Sequence, residues 1–276
     1  MAISVQTNAS ALVALQNLNH TNDQLSETQN RISTGLKIST AKDNASVWAI
    51  AQGQRADVSS LGAVKSSLDR ASSIADVAMT AGSSISDLLN EIKAKVVAAQ
   101  DPSLDTASRS AINTDFRALL RQISDAVNNA EFDGANLLDG SLPSGIKFLA
   151  NANATSFITL ASKDMSLGGS IITIPSTATL NTLTAAATVL TQIANSIVNV
   201  NSALGDMGAQ SKQISAHNTF VSKLSDVLQT GISNLVDADM AKEAARLQAL
   251  QVQQQLGAQA LSIANAAPQI ILSLFK

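Results

Sequence analysis

Apolar residues recur every seven positions over a long stretch without a breaker, and that pattern confines the chain to very long helices. One series runs Leu61, Leu68, Ala75, Gly82, Leu89, Val96, and a second, three residues on, runs Val64, Ala71, Ala78, Ile85, Ile92, Ala99. Every member is apolar or Gly, as in the seam of a helix packed along its length against another. Carried back to Val47 and Ile50 the series meet only Gln54 and Asp57 as exceptions, so the spacing predicts one helix from about Ala45 to Ala99. A second run, Ile193, Val200, Met207, Ile214, Val221, Leu228, Leu235, predicts another, with a companion series at Leu183, Leu190, Ile197 and Leu204 that turns polar at Ser211, Asn218 and Ser225. Each would be roughly 80 Å long at 1.5 Å per residue. Between them Ile112, Phe116, Leu119, Ile123, Ala126 and Ala130 mark a shorter helix behind the breaker Asp101-Pro102.

Composition agrees with long helices. Hydrophobic residues make up 45% of the chain but aromatics only 3%, and there are 4 Pro and 13 Gly; Ala and Leu favour helix, and few breakers interrupt it. From Glu131 the helix signals stop. EFDGANLLDG holds two Gly turns, and the stretch after Gly145 alternates apolar and polar residues between Asn and Gly turns, which predicts a small β-hairpin element over about Ser141 to Pro175. The fold class expected is mainly α, a long antiparallel coiled-coil rod with that hairpin at its outer end.

Charge is absent from both ends. No Asp, Glu, Lys or Arg occurs from Met1 to Asn22 or from Leu247 to Phe275, where Gln and Asn hold the polar positions. A solvated helix face normally carries charges, whereas neutral amides suit a face covered by protein because no ion must be desolvated. The apolar residues there are too dense for a disordered tail. Leu12, Leu15, Leu18, Leu25 and Ile32 at one end, with Leu247, Leu250, Leu256, Leu261, Ile263, Ile270, Ile271, Leu274 and Phe275 at the other, are the expected polymer interface. Copies of the chain itself are the simplest partner, since head-to-tail joining through unlike surfaces gives an open helical assembly unless the rotation closes a ring.

Other functions find little support. His20 and His217 are the only histidines and stand in no metal-ligand spacing, and no phosphate loop, GxGxxG or GxSxG occurs. No catalytic residue, metal site or cofactor is expected. Net charge is −3 with no basic stripe, and there are 0 Cys, so neither nucleic acid nor disulfides are expected. The start MAISVQTNAS lacks the basic flank of a cleavable signal peptide, no unbroken run of 18 apolar residues occurs, and no membrane partner is expected.

Three segments carry a family resemblance. NRISTGLKISTAKDNASVWAIA, from Asn30 to Ala51, resembles the bacterial flagellin signature in which a first helix ends in RxSxGxR and continues as INSAKDDAAG, then AIA. Lys37 replaces the usual Arg, and Asn44 an Asp. EFDGANLL is similar to the family's FNGxxLL, with Asp133 for Asn, and the last 40 residues resemble the flagellin tail almost throughout.

The resemblance implies a subunit of the bacterial flagellar filament, a structural protein rather than an enzyme, of the compact type found among alphaproteobacteria. It implies an inner tube from Met1 to about Ile32 with Asp237 to Lys276, a connector over about Ser33 to Asn44 holding Arg31, Gly35, Lys37, Lys42 and Asp43 at its motif positions, and a rod over Ala45 to Val236. It also implies partners: a homopolymer, mixed or not with other flagellins, the flagellar export apparatus, an export chaperone and a filament cap. The location implied is extracellular, after passage through the flagellar secretion channel without signal cleavage. The rival within this group is a hook–filament junction protein; a more distant one is a secreted membrane-active translocator, which lacks here the apolar hairpin or basic amphipathic helix it needs. Hydroxyls are dense where the hairpin is expected, and Thr155, Ser156, Thr159, Ser162, Ser166, Ser170, Thr173, Ser176 and Thr177 are candidates for O-glycosylation.

Overall fold

A computed structural model describes residues 8–273, with side chains through Ala266. The elements in order are α1 (Ala9–Thr34), α2 (Ala45–Ala99), α3 (Thr106–Asn128), β1 (Glu131–Phe132), β2 (Ala135–Asn136), β3 (Ile146–Leu149), β4 (Phe157–Leu160), α4 (Leu183–Val236) and α5 (Met240–Ser273). They fall into two compact units, one of residues 57–226 and one of residues 1–56 with 227–276.

In the unit of residues 57–226 the seam of α2 is buried without exception. All twelve residues of the two heptad series from Leu61 to Ala99 are inaccessible. They face α4 in antiparallel register: Asn218 Nδ2 donates to Asp69 Oδ1 at 2.6 Å, Ser86 Oγ to Asn201 Oδ1 at 3.3 Å, and Gln100 Nε2 to the Ala186 carbonyl at 3.5 Å. At Gly82 the helices come so close that a Cβ would lie 2.7 Å from Leu204 Cδ2.

On α4 the buried stripe is rotated from the expected one. Ile193, Val200, Met207, Ile214 and Val221 are buried as the spacing predicts, with Ala186 one heptad earlier, but Leu228 and Leu235 are half-buried; the companions are Val189, Ser196 and Ala203, while Leu190, Ile197 and Leu204 are half-buried and Leu183 is exposed. The cause is the chain before α4, which packs on Ser196: Thr173 N–H donates to Ser196 Oγ at 3.0 Å, and that hydroxyl donates to the Gln192 carbonyl at 2.7 Å. A fully satisfied hydroxyl is accepted in a core. By length and composition α4 is also the one helix among the described residues apolar enough to cross a membrane, with a window of mean hydropathy 1.3. Interrupting Thr, Gln, Asn and Ser hide it from a search for an unbroken apolar run.

Helix ends are closed by side chains. Asp105 Oδ1 accepts from Ser108 N–H at 2.8 Å to start α3, and Arg109, itself buried, donates to the carbonyls of Ala99 and Asp101 at the end of α2. A cation on those orphan carbonyls satisfies them and meets the negative end of the helix dipole. Asn136 does the same for α3, donating to the Val127 carbonyl at 2.7 Å while accepting from Leu138 N–H at 2.8 Å.

Two strand pairs follow α3. β1 and β2 flank Asp133 and Gly134, both at positive φ (52° and 76°), the two-residue turn that suits the twist of a hairpin. β3 and β4 pair antiparallel from Ile146↔Leu160 to Leu149↔Phe157 and bury Phe148 and Leu160. The expected hairpin is therefore present, shorter than residues 141–175, and preceded by a second that the sequence reading takes only as a turn. The segment SIITI after Gly169 is no strand beyond a single bridge, Leu167 to Ile172.

Candidate assembly surface

The other unit is built on α1 and α5, which run antiparallel. Asn8 caps α1 by accepting from Ala11 N–H at 3.1 Å and donates across to the Ala264 carbonyl at 2.7 Å. Gln254 Nε2 donates to Asn22 Oδ1 at 2.7 Å, and Arg31 Nη1 donates to Glu243 Oε1 at 3.3 Å while also bonding Glu27. Gly257 lets Leu18 in; a Cβ there would lie 3.3 Å from Leu18 Cδ1.

What these helices bury against each other is small and mostly polar: Thr21, Thr28, Glu243 and Leu250. Thr21 turns its hydroxyl back to the Asn17 carbonyl at 2.9 Å, so the polar atom is satisfied within α1. The large aliphatic residues stay outside. Leu12 is 59% exposed, Leu256 63% and Ile263 67%, and Leu15 is exposed with them. Leu18, Leu25, Ile32, Leu247 and Leu261 are half-buried. Leu250 is consumed inside the pair, and the expected contacts Ile270, Ile271, Leu274 and Phe275 lie outside the residues with described side chains. Val13 and Val252, which the sequence reading passes over, are exposed on the same helices and belong to the surface on the signal that marked their neighbours. A groove of about 680 Å³ lined by Val13, Leu18, Thr21, Leu256, Gly257 and Ala260 runs along the pair. Covering each half-exposed aliphatic side chain contributes about 1 kcal/mol, and two helices with so little core of their own have much to gain from neighbours.

The connector residues form a fixed turn. Gly35 ends α1 at φ 70°, the left-handed position that a glycine occupies without a Cβ clash. Lys37 N–H then donates to the Val236 carbonyl at 2.7 Å and Ala238 N–H to the Gly35 carbonyl at 2.9 Å, so the end of α1 is stitched to the link between α4 and α5 by a bridge between Leu36 and Asp237. Asp43 Oδ2 accepts from the N–H groups of Thr40 at 2.9 Å and Ser39 at 3.0 Å and from both hydroxyls. The backbone N–H of Thr40, then that of Ser39, hold its carboxyl below the usual carboxylate range. Asn44 Oδ1 accepts from Val47 N–H at 3.1 Å to open α2. Lys37 and Lys42 are exposed.

Of the candidate glycosylation hydroxyls, Thr155, Ser156, Thr159, Ser170, Ser176 and Thr177 are on exposed residues. Ser162 donates to the Leu137 carbonyl at 2.8 Å and Thr173 to the Gln192 carbonyl at 3.2 Å, so both are engaged in holding the fold; Ser166 is half-buried. Among the described residues no three His, Asp or Glu side chains gather to hold a metal ion.

Residues 5–142 match the bacterial flagellin N-terminal helical region, and residues 190–275 the bacterial flagellin C-terminal helical region. The chain is 54% identical to flagellin FljJ of Caulobacter vibrioides, covering 100% of this chain and 99% of that one. It is 40% identical to a flagellin of Brucella melitensis, covering 99% of each. A proposed flagellar hook-associated protein from Vibrio parahaemolyticus shares the fold, with a TM-score of 0.53 at 15% identity over 71% of this chain and all of that one. With both terminal helical regions matched and relatives aligned end to end, the chain belongs to the bacterial flagellin family.

Proposed function

We propose that this chain is a structural subunit that polymerises into the bacterial flagellar filament, with the α1 and α5 pair as its main self-assembly surface. One observation carries the reading: the two helices pair through Thr21, Thr28, Glu243 and Leu250 and leave Leu12, Leu15, Leu256 and Ile263 uncovered, on segments without charge. Such a surface is stable only when neighbouring copies cover it. In this reading Met1 to about Ile32 with Asp237 to Lys276 form the inner tube, Ser33 to Asn44 the connector, and Ala45 to Val236 the rod. Export through the flagellar channel without cleavage, an export chaperone and a filament cap belong to the same reading. Several flagellins of one Caulobacter strain are similar to this chain, which supports mixed filaments. No catalytic role is assigned.

Electron microscopy of the purified protein after seeding tests it. Long helical filaments are expected from the full chain and none from a chain lacking Asp237 to Lys276. Short stacks that never elongate would indicate a hook–filament junction protein, and lipid-bound oligomers a membrane-active protein.

A further inference from the structure

The chain holds two Asp-Gly dipeptides, Asp133-Gly134 and Asp139-Gly140, six residues apart. Aspartate before glycine is the pairing most open to spontaneous ring closure, because the attacking backbone nitrogen has no side chain crowding it. The fold treats the two differently.

Asp133 and Gly134 form the tip of the β1–β2 turn, and both are exposed. The Asp133 side chain is 63% accessible, and its carboxylate has one contact among the described residues, Arg70 Nη1 at 3.5 Å, on a side chain itself 56% accessible. Such a surface pair holds a carboxylate weakly. A Cβ on Gly134 would meet nothing within 4 Å, so there is room for a ring at this turn. Asp133 also sits at φ 52°, where a residue with a side chain is strained, so rotation out of the turn releases strain. Two residue pairs, Glu131↔Asn136 and Phe132↔Ala135, are all the ladder that resists that rotation.

Asp139 is held where Asp133 is loose. Its Oδ1 accepts from Ser141 N–H at 2.9 Å and from Ser141 Oγ at 2.6 Å. Gly140 has no room beside it, since a Cβ there would lie 2.9 Å from Asp164 Oδ2. The backbone just before is pinned, with Lys163 N–H donating to the Leu137 carbonyl and Met165 N–H to the Leu138 carbonyl, each at 2.8 Å.

We propose that Asp133 is a site of spontaneous isoaspartate formation and that the fold protects Asp139 from the same reaction. The backbone nitrogen of Gly134 attacks Cγ of the protonated Asp133 carboxyl and bonds to it, and the amide proton leaves with the carboxyl OH as one water. The five-membered succinimide then takes up one water. Cleavage between the nitrogen and the main-chain carbonyl carbon of Asp133 leaves the chain running through Cγ, which is isoaspartate; cleavage of the new bond restores aspartate. Mass is unchanged, and nothing in this chemistry depends on polymerisation. Isoaspartate adds one carbon to the main chain of a two-residue turn, so the pairing of β1 with β2 is lost. With it goes the placement of Asn136, whose side chain donates to the Val127 carbonyl at the end of α3.

The full chain is kept in weakly acidic buffer for several weeks and fragmented by electron transfer, which tells isoaspartate from aspartate at each position. A synthetic peptide of residues 122–147, holding both dipeptides without the fold, is aged beside it. In the peptide both should convert alike. In the folded chain isoaspartate should accumulate at residue 133 and be lower by about tenfold or more at residue 139, because hydrogen bonds to that carboxylate must break before attack. Asp133→Glu, which can close only a slower six-membered ring, should abolish the signal at its position and leave residue 139 as it was. Aged wild-type chains should lose amide protection at Asn136 and in the last turn of α3 and keep it along Leu61 to Ala99. Equal conversion at both positions in the folded chain, or conversion at neither while the peptide converts, overturns the proposal. Full protection of Asn136 in chains that carry isoaspartate overturns the consequence drawn for β1, β2 and α3.

Discussion

The amide of Lys37 donates to the carbonyl of Val236 at 2.7 Å, and that bond sets where one helix ends and another begins. It lies two residues past Gly35 and at the last residue of α4, so the connector is braced by the end of α4. Substitutions that disturb the turn should therefore loosen α1 and α5 together.

Gly35→Ala tests the turn itself. A Cβ at residue 35 meets nothing within 4 Å, so the cost is the left-handed backbone alone, about 1 to 2 kcal/mol. The expected result is a lower melting temperature for the α1 and α5 helical signal with the helices of residues 57–226 unaffected, read by hydrogen exchange.

Gly145→Ala should be worse. Gly145 also has positive φ, but its Cβ would lie 2.3 Å from the Leu160 carbonyl oxygen, a backbone atom that cannot swing aside. Strain and clash together should cost roughly 2 to 4 kcal/mol and disrupt the pairing of β3 with β4. Gly134→Ala, where the space is open, should cost about 1 kcal/mol. Urea titration of the three proteins orders them.

Asp43 gives the connector a dependence on acidity. Its carboxyl is lowered in the folded chain by the N–H groups of Thr40 and Ser39. A depressed folded value means the stabilisation is present above the unfolded value of about 3.9 and is lost as pH falls through the lower folded value. The amides of Ser39 and Thr40 should stay protected from exchange at pH 6 and lose that protection below about pH 4. Asp43→Asn should remove the pH dependence. An unchanged profile in that variant would count against the assignment.

The α1 and α5 pair buries too little to be rigid alone. Amide exchange in the monomer should be fast from Ala9 to Leu18 and from Leu250 to Ala264, slow along Leu61 to Ala99, and slow everywhere after polymerisation. Strong protection of α5 in the free subunit would contradict the reading that neighbours complete this surface.

Sugar is the remaining expectation. Exposed Thr155, Ser156, Thr159, Ser170, Ser176 and Thr177 are the candidate hydroxyls, since Ser162 and Thr173 already bond the fold. Intact-mass measurement of filaments from the native host should exceed the bare polypeptide, and peptide mapping should place the excess on those residues. A mass equal to the polypeptide ends the proposal.

Periodicity made α2 legible from Leu61 to Ala99, because a seam of Leu, Ile, Val and Ala repeated every seven positions has one geometric solution; carried back to Val47 and Ile50 it failed, since Ile50 is 51% exposed and Ala51 is buried instead. It served less well on α4, where Ser196 fills a seam position that an apolar pattern does not recognise. The strands β1 and β2 are two residues each, too short for alternation to register, and only the Asp133-Gly134 dipeptide announces them. At the proposed assembly surface the missing charges single out the aliphatic residues. How α1 meets α5 was hidden, because Thr21, Thr28 and Glu243 make that meeting and each looks solvent-facing in a linear reading.

Asn8 and Ala264 are hydrogen-bonded although 256 positions apart in sequence. During synthesis the first helix leaves the ribosome long before its partner exists. A prematurely terminated product therefore carries α1 without α5 and has only half a surface to present. In the proposed polymer, competence to join therefore waits on α5, which supplies the other half of that surface.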